Sequence, residues 1–79
     1  MATWAFLGSC CDGQPFEIAG NNVWESPWVR VEGAKAEVRD PLYSQTFLFE
    51  VFEIKPGPRP IQFAAGEFSN SVWGFYVPL

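Results

Sequence analysis

An all-β fold, a small antiparallel barrel or sandwich of about six to seven short strands, is what this sequence predicts. Three observations carry that reading. Short apolar runs recur along the chain, and clusters of Gly, Pro, Asn and Asp separate them. The densest run, residues 46–55, is rich in Phe and β-branched residues and bracketed by proline, which favours strand over helix. Seventy-nine residues make one domain, residues 1–79.

Residues 3–10 read as the first strand. Asp12-Gly13 is a strong turn signal, and Phe16-Glu17-Ile18 is expected to return as a second strand, making an N-terminal hairpin. Gly20-Asn21-Asn22 marks another turn. Pro27 has no amide donor and suits an edge. Residues 28–32 alternate, with Val29 and Val31 on one side and Arg30 and Glu32 on the other. Gly33 then permits a turn or bulge. Residues 34–39 alternate again, placing Ala34, Ala36 and Val38 inward, although one helical turn is an alternative. Asp40-Pro41 fits a turn that leads back antiparallel into residues 46–55.

Residues 46–55 are expected to form the central strand. Phe47, Phe49, Val51, Glu53 and Lys55 share one face; Leu48, Glu50, Phe52 and Ile54 share the other. Residues 56–60 (Pro-Gly-Pro-Arg-Pro) make a stiff loop. Residues 61–68 are a strand with Gly66 as a candidate bulge, Ser69-Asn70-Ser71 a turn, and residues 72–77 the last strand. In that strand Trp73, Phe75 and Val77 face one way, Val72, Gly74 and Tyr76 the other, and Gly74 leaves a gap for a neighbouring ring.

Composition bounds the function. Four Trp, eight Phe and two Tyr are many for a chain this short. Such a chain buries only about 63% of the surface it exposes when unfolded, while each large ring asks for about 150–250 Å². Some rings are therefore expected at a surface that meets a partner or ligand. Formal net charge is −4, and the five basic residues, Arg30, Lys35, Arg39, Lys55 and Arg59, are scattered singly. That argues against nucleic acid, which needs a positive stripe, and against an anionic membrane. The N-terminus is too short for a membrane span and has no basic start, so a cytoplasmic location is expected.

No catalytic motif is present. Histidine is absent, and with it the commonest general base and metal ligand. Glu50 and Glu53 fall on opposite strand faces. Cys10 and Cys11 lack a histidine to activate them and make a poor zinc set, so they read as reduced thiols. The sequence therefore points away from an enzyme, with no cofactor and no metal. It points to a non-catalytic binding or assembly module, acting as a homodimer through Trp73, Phe75 and Tyr76 in the C-terminal strand. An alternative is a pocket for an apolar or cationic small molecule lined by Trp24, Trp28 and Glu50. Glu50 sits among apolar residues, which fits a place at an edge, an ion pair with an Arg across the sheet, or a carboxylate set in such a pocket. Neutralising a basic protein partner is a further alternative that the charge permits.

Two segments resemble small bacterial proteins of the kind carried on mobile integron gene cassettes. They are Trp4-Ala5-Phe6-Leu7-Gly8-Ser9-Cys10-Cys11-Asp12-Gly13 and Phe63-Ala64-Ala65-Gly66-Glu67-Phe68-Ser69-Asn70-Ser71-Val72-Trp73-Gly74-Phe75-Tyr76. The resemblance covers about a third of the chain. It implies a bacterial, cytoplasmic, self-contained domain and assigns no site residue.

Overall fold

The computed structural model describes residues 3–25, 27–41, 44–54 and 61–79. Seven strands account for most of them: β1 (Trp4–Cys11), β2 (Glu17–Ile18), β3 (Asn21–Asn22), β4 (Trp28–Arg39), β5 (Thr46–Ile54), β6 (Ile61–Ser69) and β7 (Val72–Pro78). They form a five-stranded antiparallel sheet in the order β1-β7-β6-β5-β4 and a separate two-stranded ribbon, β2-β3. The edge strands β1 and β4 approach each other without a ladder between them, so the sheet curls but is not closed into a barrel. Among the described residues there is no helix, and so none long and apolar enough to cross a membrane. Lys55 and residues 56–60, where a stiff loop is expected, lie outside the described residues.

The meander β4-β5-β6-β7 follows the turn chemistry of the sequence. Asp40-Pro41 begins the β4–β5 turn, where the Asp40 amide donates to the Gln45 carbonyl at 2.8 Å and the Ser44 amide to the Asp40 carbonyl at 2.9 Å. Ser69 closes β6, and Asn70 and Ser71 turn the chain into β7. The N-terminal expectation is corrected. Asp12 and Gly13 do form a turn, yet β1 pairs with β7, from Trp4 opposite Pro78 to Cys11 opposite Val72. Residues 17–18 pair instead with Asn21–Asn22 around Ala19-Gly20. A turn signal fixes a local bend; it does not choose the strand that supplies the ladder.

The central strand is also corrected. β5 lies second from one edge and β6 occupies the centre. The reason is steric. A central strand is crowded on both faces, and β6 carries the small residues Ala64, Ala65 and Gly66. The Phe49 ring lies over Gly66, and on β7 the Phe68 ring fills the space where a Cβ on Gly74 would stand, 2.2 Å from its nearest ring atom. The gap anticipated at Gly74 is thus filled by a ring from the neighbouring strand. The bulge in β6 falls between Glu67 and Ser69, just after the Gly66 position expected for it.

β4 runs as one strand through Gly33. Its register slips between Arg30 and Lys35, where Gly33 adopts a φ of 75° that a side chain would resist. Beyond the slip Ala36 and Val38 are buried and the charged residues point out, as the alternation predicts.

Alternation makes the sheet apolar on both faces, and a core lies on each. The first gathers Ile18, Val23, Ile54, Phe63, Ala65 and Phe75, covered by Phe16 and Trp24 from the segment that carries β2 and β3 and by Trp28 at the start of β4. The second gathers Ala36, Val38, Phe49, Val51, Ala64 and Tyr76 within the curl of the sheet, with Trp4, Val31, Phe47 and Phe68 around them. The Tyr76 hydroxyl donates to the Arg39 carbonyl at 2.8 Å, tying β7 to the end of β4.

Candidate binding surfaces

Trp24 and Trp28 approach each other with ring centroids 5.5 Å apart. Trp28 also meets Phe52 and Phe63 edge-on, each at 5.1 Å, and Trp24 meets Trp73 at 5.7 Å. The indole N–H of Trp28 donates to the Val23 carbonyl. These rings close one end of the first core against each other, in the edge-to-face arrangements that aromatic quadrupoles favour. The indole nitrogen of Trp24 is buried beside the Cys10 thiol without a well-formed hydrogen bond.

The sheet face that carries the first core is covered at this end and left open at another corner. There a groove of about 390 Å³ has Leu48, Glu50, Phe52, Ala65, Glu67 and Trp73 among its walls. Glu50 stands in the groove; Trp24 and Trp28 do not line it. Of the three residues that the sequence groups as a pocket, Trp24 and Trp28 therefore stay together and Glu50 stands apart from them in the groove. Glu50 is neither enclosed nor alone. Its carboxylate meets Arg30 at 3.2 Å across the β4–β5 ladder and Lys35 at 3.4 Å, with all three side chains at least partly in water. Ion pairs this exposed are worth about 0–1 kcal/mol. Glu67 turns back to accept a hydrogen bond from the Ser71 amide at 3.1 Å, which steadies the β6–β7 turn. A groove this open suits the side chains of a second surface better than a small molecule, which a pocket normally encloses on most sides.

Of the three residues expected at an interface, Phe75 is 0% exposed and Tyr76 1%, on opposite faces of β7. Both belong to the cores, which takes them out of any surface contact. Only Trp73 reaches the groove. β7 itself has a strand on either side, so its backbone offers no open edge. Last-strand position in the sequence gave no hint of this, because β1 returns to cover it.

Leu48, 67% exposed, and Phe6 and Leu7, 37% and 44% exposed, are, with Val29 on β4 and Leu79, the large apolar residues at the surface that sequence reasoning passed over. A signal for Leu48 was present: it alternates with Glu50 on one face of β5, so that face had to meet water at some point. Phe6 and Leu7 gave none, since their exposure depends on β1 being an edge.

Cys10 is half-buried and Cys11 exposed, and no disulfide joins them. Burial pushes the Cys10 thiol above its ordinary value of 9.0. The Trp24 side chain opposes the rise, and the neighbouring Cys11 and Asp12 add to it. A thiol so placed is mostly protonated at neutral pH and is a weak nucleophile. Among the described residues, no group of three or more metal-ligating side chains comes together. No protein family, curated protein or solved structure matches this chain.

Proposed function

We propose that the chain is a non-catalytic binding and assembly module that works as a homodimer in the bacterial cytoplasm. The observation that supports this most is apolar surface left outside two filled cores. Leu48 projects beside the open groove and Leu7 projects from β1, next to the exposed part of the Phe6 ring, which packs on Phe68 and Tyr76, although both sheet faces already bury aromatic clusters. Apolar side chains grouped at two places on so small a domain favour contact with another protein surface. The absence of histidine and the raised pKa of the Cys10 thiol fit a role without catalysis.

Molar mass in solution tests the reading. Light scattering after size exclusion, with reductant present, should give about 18 kDa, twice the 8.9 kDa of one chain. A mass of one chain throughout a dilution series would overturn it.

A further inference from the structure

We propose that the open groove on the first-core face of the sheet docks a basic segment of another protein. An arginine of that segment reaches Glu50 and Glu67, while an apolar neighbour beside it lies on Leu48. This docking is separate from self-association and does not rest on it. The groove is the part of the face that the covering segment with β2 and β3 leaves open. Ala65 lies in it between Glu50 on β5 and Phe75 on β7, and contributes only a methyl group. Glu67 follows on the same strand, opposite Trp73.

Among the described residues the groove walls carry two carboxylates and no cation. Each carboxylate is held by the chain through one oxygen. Arg30 and Lys35 both meet Oε1 of Glu50, from β4, and neither lines the groove. The Ser71 amide donates to Oε2 of Glu67. Among the described residues nothing donates to Oε2 of Glu50 or to Oε1 of Glu67. Glu50 stands opposite Ala65, so Glu67 is its diagonal neighbour on the same face. Such neighbours are about 7–8 Å apart. A guanidinium, with its donors in a planar fork, can serve both carboxylates from between them.

The occupant follows from charge and shape. The chain carries a net charge of −4, so a second copy brings the same sign of charge to these carboxylates and a basic segment brings the opposite one. Phe52 and Trp73 supply aromatic walls, against which a guanidinium packs more readily than an ammonium. Leu48, beside them and 67% exposed, seats the neighbouring apolar side chain. A site open to this degree takes side chains from an extended segment, where a free small molecule would be left mostly in water.

The test titrates the intact chain with a short labelled peptide of alternating arginine and leucine, and with the same peptide carrying glutamine for arginine. Expected are binding of the arginine peptide that weakens as salt rises, and little binding of the glutamine peptide. NMR on the unaltered chain needs no variant: amides of residues 48–52, 65–67 and 73 should shift with the peptide. Glu67→Gln keeps an acceptor for the Ser71 amide and should weaken binding about three- to fivefold, the worth of one exposed charge contact. Glu17→Gln removes an exposed carboxylate on β2 that does not line the groove, and should leave binding unchanged. No binding of the arginine peptide, equal binding of both peptides, shifts confined to other residues, or equal losses in the two variants would overturn the proposal. Arginine amide binding as tightly as the peptide would put a small cation in place of the protein segment and overturn it too. Groove amides that shift when the protein alone is concentrated would give the groove to a second copy, overturning the proposal and leaving assembly standing. A chain that stays monomeric yet takes the peptide in the groove would support the proposal and overturn assembly.

Discussion

Tyr76 shows how one side chain can serve two strands. Its ring is 1% exposed within the second core, and its hydroxyl reaches the Arg39 carbonyl. Burial, and secondarily the negative charge of Asp40, raise its pKa above the ordinary 10.0. A raised folded-state pKa means that the unfolded chain loses this proton first. The resulting stability is intact below pH 10 and falls as pH climbs from there towards the folded value. Replacing Tyr76 with Phe should cost about 0.5–1.5 kcal/mol at neutral pH, the usual worth of one hydrogen bond. It should also flatten the alkaline part of a stability profile measured by urea unfolding at stepped pH. An alkaline decline above pH 10 that persists unchanged in the variant would show that Tyr76 is not its source. Glu50 illustrates the opposite case. The sequence offered an ion pair with an Arg across the sheet as one reading, and Arg30 makes it, joined by Lys35 because the slip in β4 sets both beside the carboxylate. That slip is a matter of strand register and could not be read from residue types.

At the scale of the strand, fit between neighbours decides order. The sequence located the strands well, apart from the short β3, because turn residues and apolar alternation are local properties. Sheet order depends on which strands tolerate rings from both sides, and there the reading placed β5 where β6 belongs. Aromatic density marked β5, but the central position went to the strand with Ala64, Ala65 and Gly66, where the Phe49 ring of β5 closes over Gly66. The same logic predicts the outcome of adding one carbon. Gly74→Ala should destabilise the fold by about 1–3 kcal/mol, the range for overpacking a filled core. Its new methyl would collide with the Phe68 ring. Pairing it with Phe68→Leu should restore much of the loss in chemical denaturation. A double variant no better than the single one would place the strain in the backbone instead. The candidate surfaces lay at this scale too. Phe75 and Tyr76 looked available at the end of the chain because nothing local announces that β1 comes back to flank β7.

Over the whole molecule, four tryptophans divide unequally between the cores: Trp24, Trp28 and Trp73 on the first, Trp4 on the second. Strands β5, β6 and β7 carry residues of both cores, with Ile18 and Val23 added to the first and Ala36 and Val38 to the second, and small domains of this kind unfold in one step. Fluorotryptophan labelling followed by NMR should therefore show all four native signals fading at one urea concentration. A Trp4 signal with its own midpoint would mean that the cores melt separately. The sheet behaves as a septum between two compartments. Phe75 and Tyr76 are joined by a peptide bond and face different rooms. A change of side-chain volume in one room reaches the other only if the septum itself bends, so each can be repacked by evolution with little consultation of its neighbour. Substitutions that move a strand bodily, as at Gly74, enjoy no such privacy.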